Sequence, residues 1–253
     1  MKLALNALQK NKIPEDQLEP LGQRIEEELN LDIGEVHIDI GKGDRFDYQE
    51  TREKLDKLDA MLGKSQKSDL PEGLEKVLEQ DVDIDEPDNV VSITPGLPNG
   101  YVFAHETGHI VYDQKVNTEF SPLIDITLSE MVAEATAYNF TDHEPEEEVL
   151  ERDPFSSFSS SDAEKLAEMD DPYEEVKDNQ YGGPIDIPHS VGCRLGAQLV
   201  ENGGDPIEII ENASDYGEAV EEAVKETLEY AQNAENPDIE ELNPTYEEIL
   251  EGI

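Results

Sequence analysis

Cysteine is almost missing from the chain: Cys193 is the single one in 253 residues. One thiol can build neither a disulfide framework nor a cluster of metal-binding thiolates. Tryptophan is absent, and aromatic residues make up only 6%. Basic residues are scarce, with 18 Lys+Arg against 63 Asp+Glu and a formal net charge of −45. Negative charge this dense repels polyanions and excludes nucleic acid as a partner. No uninterrupted apolar run approaches the roughly 18 residues of a membrane span, so no membrane partner is expected. The opening MKLALNALQKNK carries a broken apolar stretch and no cleavage site, so no signal peptide is read there and the expected location is cytoplasmic.

What the chain does have is enough length and enough apolar residues, 36%, to bury a core. The acids are interleaved with periodic apolar positions, as in EEAVKETLEYA, rather than gathered in one tail. That pattern reads as a solvated acidic shell on a folded protein. The composition resembles that of proteins from salt-in halophiles, in whose molar salt the Debye length shrinks to about 3 Å and self-repulsion is screened. Twelve of the 18 basic residues lie at or before Lys76, so the later part carries most of the imbalance.

The N-terminal third reads as mixed α and β. Leu18, Leu21, Ile25 and Leu29 have helical spacing after Pro14. Val36, Ile38 and Ile40 alternate with polar residues up to Gly41, which is strand spacing. Leu55, Leu58 and Leu62 suggest another helix, and Val90, Val91 and Ile93 a strand near 90–94 before the Pro95-Gly96 turn. Two apolar helices are expected over 101–115 and 127–140. Residues 141–179 are acidic, Ser-rich and Pro-punctuated, an expected exposed insertion with a short helix near 162–169. From 180 a helical region follows, with one helix from about Pro188 to Asn202 and an acidic helical tail after Pro206.

The segment Tyr101 to Tyr112, YVFAHETGHIVY, holds the chemistry. His105 and His109 stand one helical turn apart on one face and can present two imidazoles to one cation. Zn²⁺ prefers such nitrogen donors, and a catalytic zinc site keeps one position open for water. Glu106 can accept a proton from that water. A third ligand is offered by the next apolar helix, where Glu130 and Glu134 share one face among Ala, Val, Met and Leu. Carboxyls on the buried side of a helix cost several kcal/mol (order of magnitude) unless paired or bound to metal. One of them can ligate, while the other accepts a hydrogen bond from a ligand histidine and fixes its tautomer.

These motifs resemble the gluzincins, the zinc metallopeptidase clan that includes thermolysin-like enzymes and joins HExxH to a Glu on a following helix. The resemblance spans residues 101 to 192. It implies an α+β, zincin-like single domain over 1–253: a small twisted mixed sheet with the active-site helices in 1–140, the acidic insertion, then a mainly helical lobe over 180–253. It also implies Zn²⁺ held by His105, His109 and Glu130, with Glu106 as general base. Glu130-Met131-Val132-Ala133-Glu134 fits the clan's third-ligand pattern, 21 residues after His109, and makes Glu134 the outer acid. A second registration, opening at Glu134, makes that residue the alternative ligand; spacing and the acid one turn later favour Glu130. His189, with Asp186 before it and Gly192 after it, is similar to the clan's oxyanion-stabilising histidine, and Tyr181 is the other candidate donor.

The function so implied is a zinc-dependent hydrolase acting on peptide or protein substrates. The alternative is a zincin-like protein that binds a peptide or regulates without turnover. An HExxH that arose by chance on an acidic helical protein predicts no stoichiometric zinc. Neither oligomeric state nor cleavage specificity follows from these residues.

Overall fold

The computed structural model describes residues 1–4, 15–39, 90–92, 99–142, 155, 159–179, 183–234 and 237–253. Among the described residues, the expected α+β fold with a small twisted mixed sheet is not seen: they are mainly helical. Among the described residues, three short strands form, β1 (Lys2–Ala4), β2 (Glu35–Asp39) and β3 (Val90–Ser92). They pair in the order β1-β2-β3, and both pairings are parallel. Local alternation marked two of these strands, but it carries no information on direction. Direction comes from the connection: helix α1 (Glu15–Glu28) lies between β1 and β2, and a helical crossover returns the chain in parallel.

α1 buries Leu18 and Ile25, and Leu29, the residue after it, is buried as well. It ends at Asn30, whose φ of 50° is the left-handed conformation that Asn tolerates best after Gly. The Leu31 amide then donates to the Glu26 carbonyl at 2.9 Å, closing the helix end. The helix expected near 55–62 lies outside the described residues.

The two apolar helices expected next are α2 (Asn99–Lys115) and α3 (Pro122–Phe140). Of the 19 residues of α3, 14 are buried, including Leu128, Met131, Val132 and Ala135. A helix apolar on every side is an interior helix, and α3 is the axis about which the others pack. It touches α1, α2, α6 (Cys193–Glu201), α7 (Pro206–Glu211) and α8 (Ala213–Asn233). The stretch expected to be an exposed insertion contains α4 (Ser160–Ala167) and α5 (Pro172–Val176). Leu166, Tyr173 and Val176 of these helices are buried, so this part joins the core instead of projecting from it. After α8, a 3-10 turn (Ile239–Leu242) leads to α9 (Asn243–Glu251), which plants Tyr246 against Thr227 of α8 at 2.6 Å.

Glycine sets how closely α3 is approached. A Cβ on Gly108 of α2 would stand 2.5 Å from Ala133 Cα. On the opposite flank, Cβ atoms on Gly192 and Gly196 would fall 2.4 Å from the Thr127 carbonyl and 2.5 Å from the Met131 carbonyl. α3 is thus clasped on two flanks at backbone distance. Among the described residues, no helix is long and apolar enough to cross a membrane.

Candidate metal centre

α2 and α3 lie side by side. On α2, Tyr101, His105 and His109 recur at one-turn intervals and share a face. On α3, Glu130 and Glu134 are buried, 5% and 0% exposed. His105 Nε2 lies 3.4 Å from Glu130 Oε2, and His109 Nε2 lies 3.7 Å from Glu130 Oε1. Ligand atoms of these three residues all fall within 4.8 Å of one another. Zinc bonds of roughly 2.0–2.2 Å in a tetrahedron would put nitrogen and oxygen donors roughly 3.3–3.5 Å apart. The donor set suits zinc in kind and in number, and the two histidine–carboxyl separations of 3.4 and 3.7 Å come close to that spacing.

Each of the three has a further partner that aims it. His105 Nδ1 donates to Glu134 Oε2 at 2.9 Å. His109 Nδ1 lies 2.9 Å from Ser129 Oγ. The Cys193 thiol donates to Glu130 Oε2 at 3.6 Å. With the His105 Nδ1 proton committed to Glu134, a neutral imidazole there turns the lone pair of Nε2 toward Glu130, as a metal ligand would need. Glu134 therefore stands behind His105, and Glu130 is the carboxyl that faces both Nε2 atoms.

The electrostatics favour a cation at this point. Burial works against protonation of His105, but the Glu130 and Glu134 carboxyls outweigh it and raise its pKa. Burial likewise opposes ionisation of Glu130, yet the hydrogen bond from His105 and the charges of His109, His105 and His189 hold its pKa well below the usual range. In the metal-free protein a shared proton binds imidazole to carboxyl, and positive charge is what the pocket accommodates.

His189 comes to the same carboxyl from the other flank. It lies in a π-helical turn, Pro188–Gly192, which runs into α6. Such turns insert one residue into the helical register and often occur at functional sites. His189 Nδ1 donates to Asp186 Oδ1 at 3.1 Å, and its Nε2 lies 3.3 Å from Glu130 Oε1. The ring is 54% exposed, so it stands at the rim. Gly192 lets this turn sit on α3: its missing Cβ would be 2.8 Å from Glu130 Cβ. A hollow of about 280 Å³ lined by Gly183, Pro184, Ile185, Asp186 and His189 opens beside the ring.

Glu106 follows His105 on α2 and is half-buried. Tyr181 lies outside the described residues, as does His143. Three residues in contact with the cluster carried no assigned role in the sequence: Tyr101, Ser129 and Cys193. Tyr101 had a legible signal, one turn before His105 on the same face. Ser129 and Cys193 had none beyond their neighbours. No protein-family model, curated protein or solved structure matches the chain, so the site stands on its own geometry.

Proposed function

We propose that the chain is a zinc-dependent peptidase of gluzincin type. The observation that carries this reading is the convergence of His105, His109 and Glu130 within 4.8 Å, on a helix that also bears Glu106 immediately after the first histidine. His105, His109 and Glu130 would hold Zn²⁺. When bound, the metal supplies a Lewis acid that acidifies water and polarises a carbonyl.

The remaining chemistry belongs to side chains. Glu106 is the general base: its carboxylate accepts a proton from the attacking water and returns it to the departing amine. His189, held through Nδ1 by Asp186, presents Nε2 at the rim, where in its imidazolium form it donates to the oxygen that gains negative charge. Glu134 and Ser129 keep the two ligand imidazoles turned inward.

The test is elemental analysis of the purified protein together with cleavage of casein or a peptide library in high salt. One zinc per chain is expected, with hydrolysis abolished by a chelator. Glu106→Gln is expected to keep the zinc and to lose hydrolysis by a factor of about 10²–10⁴. Cleavage at wild-type rates by Glu106→Gln would end the mechanism. Stoichiometric zinc without any cleavage would favour a binding or regulatory protein.

A further inference from the structure

We propose that Tyr101 is a positioning residue for the metal centre, acting through Glu134 on His105. This rests on the metal reading above and extends the site by one layer. Glu134 is wholly buried, and a buried carboxyl oxygen without a donor is costly. Its two oxygens are served separately: Oε2 accepts from His105 Nδ1, and Oε1 accepts from the Tyr101 hydroxyl. Both donors project from α2, one turn apart, while the carboxyl projects from α3. Two donors fixed on one helix define the plane of a carboxyl that a single donor would leave free to rotate about its terminal torsion.

The tyrosine ring is itself held, edge-on against Tyr138 of α3 with centroids 5.4 Å apart. Tyr101 thus keeps Glu134 facing His105, and Glu134 keeps the His105 proton on Nδ1. Without the hydroxyl, the carboxyl turns, and the imidazole is released to the tautomer whose Nε2 carries a proton where a metal needs a lone pair.

The experiment measures zinc affinity by competition with a chromophoric chelator in molar salt. Tyr101→Phe retains the ring and its packing on Tyr138 and removes only the hydroxyl. It is expected to bind zinc about ten- to a hundredfold more weakly than the wild type, the range for an outer hydrogen-bond partner. Tyr112→Phe is the matched control. It removes a hydroxyl from the same helix that donates to Asp125 at 2.6 Å, and it is expected to bind zinc as the wild type does. In a Glu134→Gln background, Tyr101→Phe is expected to add little further loss.

Wild-type affinity in Tyr101→Phe overturns the proposal, as does an equal loss with and without Glu134. Should that variant not fold, the zinc-loaded wild type decides by NMR. A Tyr101 hydroxyl proton in slow exchange with water supports the proposal, and one in fast exchange overturns it. Casein cleavage run in parallel separates this inference from the peptidase reading. Tight zinc in the wild type, weak zinc in Tyr101→Phe and no cleavage in either leaves the positioning role intact and removes the enzyme. A wild type that takes up no zinc overturns both.

Discussion

Glutamate does opposite work on α3 and on α8. Glu130 and Glu134 of α3 are enclosed by imidazoles, a phenol and a thiol, and each of their four oxygens has a named partner. Glu218, Glu222 and Glu226 of α8 repeat at the same one-turn interval but are exposed. They face Glu248 of α9 across an open groove of about 570 Å³. Spacing is identical in the two helices, so the carboxyl is not what distinguishes them. The residues between decide: Met131, Val132, Ala133 and Ala135 force α3 inward on all sides, whereas α8 keeps one apolar stripe and leaves its acids to solvent. Only the inward pair meets groups that repay desolvation.

That contrast breaks most visibly at Glu130. Glu130→Ala removes a ligand rather than an outer partner, so zinc affinity is expected to fall by more than about a hundredfold. Retention of stoichiometric zinc by elemental analysis would mean that Glu130 is not the ligand.

A smaller effect is expected where α6 meets α3. Gly196→Ala sets a methyl 2.5 Å from the Met131 carbonyl and 3.0 Å from Glu134 Cβ. Backbone cannot yield as a flexible side chain does, and a loss of about 1–3 kcal/mol is expected in denaturant unfolding. An unchanged midpoint would show that the seam has slack.

The smallest effect belongs to α8, and its sign depends on salt. Glu222→Gln removes two like-charge neighbours one turn away, at Glu218 and Glu226. At low ionic strength this is expected to stabilise by roughly 0.4–1 kcal/mol. In molar salt, where screening acts within about 3 Å, the difference is expected to vanish. Destabilisation at low salt would give the outer acids a structural role beyond solvation.

The sequence revealed the helices and the His105, His109 and Glu130 cluster far better than it revealed the sheet. The helix expected over 101–115 forms as Asn99–Lys115, and the one expected over 127–140 ends where expected but begins earlier, at Pro122; apolar spacing is a local property. The approach of His105, His109 and Glu130 was readable because side-chain spacing on a helix is local too, and it is Glu130, not Glu134, that faces the two Nε2 atoms. Strand pairing is not local: residues 36 and 91 advertised extended backbone but neither its partners nor its direction, and the sheet is parallel instead of mixed. Tyr101 reads as an ordinary core aromatic until Glu134 is placed beside it. Cys193 reads as a small packed residue, which it is, and only the fold shows its thiol against Glu130. The π-helical turn at Pro188–Gly192 has no pattern of its own, since one extra residue in a helix changes phase without changing composition.

The glycine clasp around α3 bears on which ion the chain accepts. With Ala133 met at backbone distance on one flank, and Thr127 and Met131 on the other, the helix carrying Glu130 has little room to slide or roll. Calcium asks for six to eight oxygens at about 2.3–2.6 Å, and such a shell needs a pliant cage. On the proposed zinc reading, two imidazoles and one carboxyl on a helix so closely packed would be slow to open to that radius. The three missing methyl groups would then weigh against the larger, oxygen-loving ion alongside the donors themselves.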